Sequence, residues 1–172
     1  MTTSTDPLAD TAVRAVHLIT EGSLEQFREV IHADAVNREA VNEPPACRIG
    51  GPDAFHATSL WMRAAFDELE FAVEDVIRQD DVVVVHGRMS GRHIGDFVVY
   101  SADATVERAF APTGRRFSVR HAHFQRLRDG LVTEHWAVRD DQGMGLQLGW
   151  VPPTPWYLLR CARATARARR RG

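Results

Sequence analysis

Residues 117–140 read FSVRHAHFQRLRDGLVTEHWAVRD, and this stretch decides the fold. Phe117–Arg128 and Leu131–Arg139 each alternate between apolar and polar residues, which is typical of strands with one buried face. Asp129-Gly130 lies between them and is the strongest short-range signal for a β-hairpin. The stretch therefore predicts two long antiparallel strands joined by a tight turn.

A two-residue turn places Arg128 opposite Leu131, and the same register pairs His123 with Trp136. One face of the hairpin then mixes apolar side chains, histidines and carboxylates: Phe117, Val119, His121, His123, Gln125, Val132, Glu134, Trp136, Val138 and Asp140. This mixture is typical of a small-molecule pocket. The opposite face is expected to meet solvent or another subunit: Phe124, Arg126, Arg128, Thr133, His135 and Arg139. A one-residue bulge would swap these assignments beyond it.

Asp140 is the candidate acid/base residue of this pocket. Apolar walls disfavour the charged carboxylate, and they are expected to raise its pKa towards the range where proton transfer is efficient. The alternative is a helix N-cap, since the chain must leave the strand near Asp140-Asp141 and begin a new turn. His121 and His123 can donate to a substrate oxygen or relay protons. For each histidine alone, a structural role in the sheet is the alternative.

The first third of the chain carries the signals of helices. Asp6-Pro7 is an N-cap followed by proline, and Gly22 ends the apolar repeat that it begins. Ser23 opens a second helix whose apolar stripe is Phe27, Val30 and Ile31. Gly51-Pro52 opens a third, whose buried face is Phe55, Met62, Ala65, Phe66 and Leu69.

Strand signals follow the helices. Strands are expected at Phe71–Arg78, Val82–Met89 and Phe97–Tyr100, ahead of the hairpin, and Ser101–Pro112 is expected to be a mobile connection. Helices followed by a long antiparallel set predict an α+β fold with the helices packed on one face of the sheet.

The remaining composition limits the function. A net charge of −2 over 172 residues argues against a nucleic-acid-binding protein. The N-terminal residues lack the basic and apolar regions of a signal peptide, and no apolar run reaches the length of a membrane span. A cytoplasmic protein is therefore expected. Cys47 and Cys161 make no metal-binding spacing, and neither a histidine signature for a metal nor a phosphate-binding glycine loop occurs. A site without metal or cofactor is expected.

The C-terminal segment differs from the rest. Residues 150–172 are expected to form a Pro-rich linker and a basic Ala/Arg helix outside the main domain, residues 1–149. The basic helix is interpreted as a solvated appendage or an arm across a dimer, and the alternative is contact with an anionic surface.

Several short motifs, taken in order, resemble the SnoaL-like polyketide (ester) cyclases of the NTF2-like superfamily. They are DVVVVHGRMSGRH (81–93), PTGR (112–115), RLRDG (126–130), EHW (134–136) followed by Asp140, and QLG (147–149). The resemblance covers about residues 8–149. Its most specific element is Trp136, three residues, Asp140, six residues and then Gln-Leu-Gly after an Asp-Gly hairpin.

The resemblance implies an α+β barrel, a cone of strongly bent sheet closed by helices, and a homodimer. It implies an aldol-type ring closure of an apolar, carbonyl-containing small molecule, with Asp140 as acid/base, His123 or His121 assisting and no cofactor. Asn37, Glu39, Trp136, His93, Phe117 and Trp61 are the candidate substrate-binding residues. Because this superfamily serves many functions, another enzyme class (hydroxylase, hydrolase or isomerase) and a non-catalytic binding protein remain alternatives.

Overall fold

A computed structural model describes residues 6–171 of the chain. Its helices are α1 (Pro7–Glu21), α2 (Leu24–Arg28), α3 (Gly51–Ala65), α4 (Asp141–Leu148) and α5 (Pro155–Arg169). Its strands are β1 (Ile31–Asn37), β2 (Phe66–Gln79), β3 (Val82–His93), β4 (Phe97–Tyr100), β5 (Val106–Phe110), β6 (Arg116–Arg128) and β7 (Leu131–Arg139). Two 3-10 turns, Ala40–Asn42 and Pro45–Arg48, lie between β1 and α3.

The main sheet has the strand order β1-β7-β6-β3-β2. All neighbours are antiparallel except β1, which lies parallel to β7. Helices α1 and α3 pack on one face of this sheet, and β4 and β5 form a separate two-stranded sheet. The predicted α+β fold, with helices on a curved and mainly antiparallel sheet, is confirmed.

Some predicted boundaries were wrong. The second helix ends at Arg28, and Ile31 begins the edge strand β1 rather than continuing a helical stripe. The third helix ends at Ala65, because Phe66 starts β2 and pairs with His93. The predicted mobile connection contains β5, which pairs with β4. In the first two cases a short apolar run fits a helix and a strand equally well, and long-range pairing decides. In the third, pairing with β4 orders a segment that has no strong strand pattern of its own.

Strand β3 shows how the sheet is covered. Its residues alternate between buried and partly exposed, and Val83, Val85 and Met89 belong to the core under the helices. Gly87 leaves room for the β2 strand and its Phe71 ring: a Cβ there would lie 2.3 Å from the Ala72 carbonyl oxygen. The Phe71 ring therefore reaches the inner face of β6, where it meets His121 and His123.

Helix α5 packs on β5. Ala109 N–H donates to Thr165 Oγ1 at 2.8 Å, and the buried Tyr157 hydroxyl donates to the Ala111 carbonyl at 2.9 Å. Cys161, on the same helix, is a free thiol, as is the buried Cys47. Within residues 6–171, no helix is both long and apolar enough to cross a membrane. The interpretation of α5 as a fully solvated appendage is wrong, because it covers β5.

Candidate active site

A bulge at Thr133 fixes which side chains of β7 face the helices. The β6–β7 register pairs Leu127 with Val132 but Arg126 with Glu134, so Thr133 is the extra residue. Its hydroxyl donates to the Arg126 carbonyl at 3.2 Å. Beyond the bulge His123 pairs with Ala137, not with Trp136 as predicted. The predicted faces of β7 are therefore reversed from Glu134 onward, and His135 and Arg139 join the inner face.

A cavity of about 390 Å³ lies between this inner face and the helices. Most of the surface that lines it is apolar. Its polar lining includes His121, His123, Gln125, His135, Arg139, Asn37, Glu39, Glu43 and Asp141. A concave, mainly apolar site with a few convergent polar groups is typical of small-molecule binding.

Three histidines form the polar centre of the cavity. His135 Nε2 lies 3.0 Å from His123 Nδ1, with the two rings stacked at a centroid distance of 5.3 Å. His135 Nδ1 lies 2.9 Å from Asn37 Oδ1. His121 sits beside His123 on β6, 5.4 Å away between ring centroids. Sequence reasoning missed His135, because it assumed a hairpin without a bulge.

Burial disfavours the charged form of these histidines. Burial first, and then the positive charge of Arg139, lower the pKa of His121 and of His135 to about 4. The pKa of His123 is also well below its usual range, first because of burial and then because of the neighbouring histidines. Among the described residues, His123 Nε2 and both ring nitrogens of His121 are buried without a hydrogen-bond partner. Buried polar atoms without a partner are uncommon in folded proteins.

Asp140 follows β7 and caps helix α4. Its Oδ1 accepts the Gly143 amide N–H at 2.7 Å. A Cβ on Gly143 would lie 2.1 Å from Asp140 Oδ2, so a larger residue there would require the Asp140 carboxylate to shift. Asp140 is exposed and is not among the cavity-lining residues, but its negative charge reaches His121 and raises the pKa of that imidazole. Asp140 is thus a helix N-cap, as the alternative interpretation predicted. It lies outside the set of residues that line the cavity, whereas the three histidines line it.

Two further carboxyl side chains line the cavity. Glu39 accepts the Ala137 amide N–H at 3.1 Å and pairs with Arg139 at 3.3 Å, so its charge is matched. Glu43 is only 4% exposed and accepts the Thr58 hydroxyl. Burial raises the pKa of Glu43. Sequence reasoning did not single out Glu43, which lies between two 3-10 turns and carries no motif.

The predicted substrate-binding residues divide into two groups. Asn37, Glu39 and Trp61 line the cavity. Trp136 lies on the other face of the sheet, stacked on Phe124 at 5.4 Å, because of the bulge. His93 and Phe117 are buried in the core. His93 meets the Trp150 ring edge-on, and Phe117 packs on Phe66. None of these three residues lines the cavity.

Aromatic rings make one wall of the cavity. Trp150 stacks on Phe110 and Phe97, with centroid distances of 4.2 and 5.5 Å. Phe97 in turn lies 4.6 Å from Trp61, whose indole N–H donates to the Val98 carbonyl at 2.9 Å. Trp150, the first residue of the predicted Pro-rich linker, is therefore part of the cavity wall. Flat apolar ring systems favour such aromatic surfaces.

The Gln-Leu-Gly motif has a structural explanation. Gln147 accepts the Ser118 amide N–H at 2.8 Å and donates to the Ser118 carbonyl at 3.2 Å, continuing the hydrogen bonding of β6 where β7 has ended. Leu148 is fully buried, and Gly149 adopts the left-handed conformation that ends α4. The motif thus fastens α4 and Asp140 against the edge of β6.

Comparison with known proteins agrees with this architecture. The chain is 32% identical over 148 residues to the aklanonic acid methyl ester cyclase DnrD of Streptomyces peucetius, covering 85% of this chain and 93% of that protein. It is also 32% identical over 146 residues to the nogalonic acid methyl ester cyclase of Streptomyces nogalater, covering 82% and 93% respectively.

Among solved structures, TsrD from Streptomyces laurentii shares the fold with a TM-score of 0.67 at 20% identity, covering 85% of this chain and 97% of that one. AclR from Streptomyces galilaeus aligns over 98% of this chain and 97% of its own, with a TM-score of 0.62 at 20% identity. The sequence model of the SnoaL-like polyketide cyclases matches residues 9–148. The chain therefore belongs to the SnoaL-like polyketide cyclase family.

Proposed function

We propose that this protein is a cofactor-independent ester cyclase that closes a ring in an apolar, carbonyl-containing polyketide by an intramolecular aldol reaction. The observation that carries the proposal is the cluster of uncharged histidines inside an apolar cavity. The 32% identity to two methyl ester cyclases supports it and suggests the substrate class. We place this activity in the cytoplasm.

The proposed reaction needs only proton exchange and alignment. A proton leaves a carbon flanked by carbonyl groups, and the resulting enolate attacks a ketone of the same molecule. One carbon–carbon bond forms while a carbonyl π bond becomes an alkoxide, which takes up a proton. The product is an isomer of the substrate, so no oxidant or reductant enters. An apolar cavity that holds the chain folded supplies much of the acceleration by orientation.

Asp140 is proposed to take part in this proton exchange. The motif that joins Trp136, Asp140 and Gln-Leu-Gly supports the assignment, as does the electrostatic contact of Asp140 with His121. The cap to Gly143 orients the carboxylate through one oxygen. His121 and His123 are the proposed partners that face the reacting carbonyl groups, since both line the cavity.

The aromatic wall suits a partly cyclised, flat substrate. Trp61, Phe97 and Trp150 present a continuous surface on one side of the cavity, and the histidines lie on the strands β6 and β7. A fused aromatic portion of the substrate is proposed to lie on this wall, which leaves its flexible ester-bearing arm to reach the histidines. The division of the cavity into an aromatic and a polar part supports this substrate class.

The proposal is tested with the purified protein and aklanonic acid methyl ester or nogalonic acid methyl ester. Ring closure should give a product of unchanged mass with one ketone fewer, and it should proceed after treatment with a metal chelator. Incorporation of labelled oxygen from water would indicate a hydrolase, and incorporation from dioxygen a hydroxylase. Saturable binding of both esters without any product would show a binding protein instead.

We also propose a homodimer formed through the outer face of the main sheet. Val84, Phe124 and Trp136 form one cross-strand row on this face, and Val138 is 67% exposed beside it. Helices α1 and α3 contact the main sheet, and the side chains under them belong to the core on its inner face. The partner is a second copy of the chain, and Trp136→Glu should convert the dimer to a monomer in sedimentation experiments. An unchanged mass would reject this interface.

A further inference from the structure

Among the carboxyl side chains that line the cavity, Glu43 is the most deeply buried. It is 4% exposed and lies between the 3-10 turns Ala40–Asn42 and Pro45–Arg48. The proton exchange proposed for Asp140 does not use this carboxyl group. Because the burial of a carboxyl group costs free energy, its position inside an apolar cavity calls for a reason of its own.

Hydrogen bonds on both sides fix the backbone of Glu43. Its amide N–H donates to the Ala40 carbonyl at 3.1 Å. Its carbonyl accepts Arg48 Nε at 3.0 Å and Arg48 Nη2 at 2.8 Å. The same guanidinium donates to the Ser101 and Ala102 carbonyls, which ties this turn to the chain just after β4. The side chain of Glu43 therefore enters the cavity from a fixed point, as a preorganised binding group requires.

The two arginines near this carboxyl group bind other groups. Arg139 pairs with Glu39 at 3.3 Å and with Asp141 at 3.6 Å. Arg48 donates to backbone carbonyls, so within residues 6–171 neither guanidinium forms an ion pair with Glu43. A buried carboxylate without a paired cation carries a large desolvation cost, which protonation removes. The geometry therefore favours the neutral carboxylic acid at this position.

The groups in direct contact with the Glu43 carboxyl are uncharged. The hydroxyl of Thr58, itself buried on α3, donates to Glu43 Oε2. The Cys47 thiol is a second hydrogen-bond neighbour, and burial raises its pKa to about 12, so it stays protonated at neutral pH. Burial also raises the pKa of Glu43, and it outweighs both hydrogen bonds and the charge of Arg139, which act against it. The negative charge of Glu39 acts in the same direction as burial.

We propose that Glu43 is present as a carboxylic acid and donates a hydrogen bond from Oε1 to a carbonyl oxygen of the substrate. Thr58 is a positioning residue, because its hydrogen bond to Oε2 leaves Oε1 to carry the proton. The proposal rests on the proposed ring closure for the identity of the substrate. Asp140 keeps its part in the proton exchange, whereas Glu43 binds the substrate and retains its own proton.

A neutral acid suits this reaction better than a carboxylate does. The enolate and the alkoxide of the ring closure are both negatively charged, and a carboxylate, which can only accept hydrogen bonds, would repel them. The O–H of a carboxylic acid donates to the same oxygen, and a donor held in an apolar cavity stabilises a developing negative charge. Glu43 therefore selects substrates with an acceptor oxygen at this position, such as a ketone or ester carbonyl, over analogues with a methylene group there.

The protonation state can be measured without any substrate. At pH 7 the infrared spectrum of the full-length protein should contain a carboxylic-acid C=O band above the amide I band, sensitive to deuterium oxide and absent in Glu43→Gln. Glu21→Gln, at an exposed position of α1, is the matched control and should keep the band. Identical spectra of wild type and Glu43→Gln in this region would overturn the proposal.

The same band reports contact with the substrate. When aklanonic acid methyl ester binds, the Glu43 band should move to lower wavenumber, because its O–H gains an acceptor. The band is taken as the difference between wild type and Glu43→Gln, so that the ester's own carbonyl bands cancel. A band that does not move at saturating ester would also overturn the proposal.

Paired variants test the contact during turnover. Glu43→Gln keeps an uncharged hydrogen-bond donor, whereas Glu43→Met removes it at similar volume. With the ester, Glu43→Gln should keep most of kcat/KM, and Glu43→Met should lower it about tenfold or more. An equal loss in both variants would show that the reaction needs the negative charge of a carboxylate, and wild-type activity in Glu43→Met would show that Glu43 does not contact the substrate. Either result rejects the proposal.

Thr58 has a readout of its own. Thr58→Val removes the donor at nearly the same shape, so the Glu43 band should move to higher wavenumber as its C=O loses a hydrogen bond. Thr58→Ser keeps the hydroxyl and should keep the wild-type band. An unchanged band in Thr58→Val would reject the positioning role.

The outcomes separate this proposal from the proposed ring closure. If the Glu43 band responds to the ester but no ring closes, Glu43 is the substrate-binding acid and the assigned reaction is wrong. If the ester is cyclised by a protein that lacks the band, the ring closure holds and Glu43 is not a neutral donor.

Discussion

His135 reaches His123, with 3.0 Å between Nε2 and Nδ1, because Thr133 bulges out of β7. Without that extra residue His135 would lie on the outer face, and Trp136 would occupy the cavity side. One residue in the hairpin therefore decides whether the site has two or three histidines. It also decides which tryptophans can report on ligand binding.

Trp61 and Trp136 should respond differently to substitution. Trp61 lines the cavity, whereas Trp136 stacks on Phe124 on the outer face. We expect Trp61→Phe to raise KM for a cyclised ester several-fold, because one aromatic surface under the substrate shrinks. Trp136→Phe should leave KM and kcat unchanged. Steady-state kinetics check both, and a KM effect confined to Trp136 would show that the hairpin has the register without the bulge.

Asp140 can be tested so that its cap and its charge are separated. Asparagine and serine are good N-caps, so Asp140→Asn and Asp140→Ser should keep the Gly143 contact and the stability. Both should lose most of the ring-closure rate, because the negative charge beside His121 is gone. Asp140→Ala should lose the same rate and also about 1 kcal/mol of stability. Denaturant unfolding and kinetics on all three variants make the measurement.

Full activity in Asp140→Ser, combined with loss in Asp140→Ala, would assign Asp140 to the cap alone. The asparagine variant alone would not distinguish these cases, because its amide can also donate. Asp141, whose carboxylate lies 3.6 Å from Arg139 and which lines the cavity, provides the matched control. Asp141→Asn should retain more activity than Asp140→Asn.

The sequence predicted the fold better than the site. The Asp129-Gly130 turn and the alternating strands identify the β-hairpin of the α+β fold. The order of the motifs identifies the family. The face assignment of β7 failed because its two alternating sets are both mixed: Glu134, Trp136 and Val138 on one, His135, Ala137 and Arg139 on the other. Neither set is clearly apolar, so alternation alone cannot detect a bulge.

Other parts of the site depend on contacts that no local pattern reports. Glu43 is a buried carboxyl that accepts a hydrogen bond from Thr58 of α3. Trp150 joins the cavity wall only because β4 and β5, one of them predicted to be a mobile connection, place Phe97 and Phe110 beside it. The family resemblance identified Asn37 and Glu39 as candidates, but their partners, His135 and Arg139, come from about a hundred residues further along the chain.

The buried histidines should make the protein less stable in acid. In the folded protein the pKa values of His93, His121 and His135 are about 4, against an ordinary value of 6.5. Between these values the unfolded chain binds protons that the folded chain does not. The free energy of unfolding should therefore be highest above pH 6.5 and should fall as the pH drops towards 4, by roughly 1–3 kcal/mol per histidine.

His93→Phe isolates one of these contributions. His93 is fully buried next to Phe66 and Trp150 and does not line the cavity, so a phenylalanine can keep the packing. The variant should lose less stability than wild type between pH 6.5 and 4.5 in urea unfolding. Identical slopes for His93→Phe and wild type would show that the pKa of His93 is the same in the folded and the unfolded protein.

Helix α5 should stabilise its own chain. Its buried face carries Tyr157 and Ala164, which pack on Ala109 and Ala111 of the β5 region. Removing residues 156–172 exposes this apolar patch and leaves the Ala109 amide without its Thr165 acceptor. We expect the melting temperature to fall by several degrees. Tyr157→Phe, which removes only the hydroxyl donor to the Ala111 carbonyl, should cost about 1 kcal/mol. Trp156→Ala is the matched control, because Trp156 is 66% exposed and should contribute little to stability.

Calorimetry and sedimentation of the truncated and the full-length protein decide between two roles of α5. A lower melting temperature at unchanged mass supports covering of β5, whereas a shift from dimer to monomer at unchanged melting temperature would make α5 an arm between subunits.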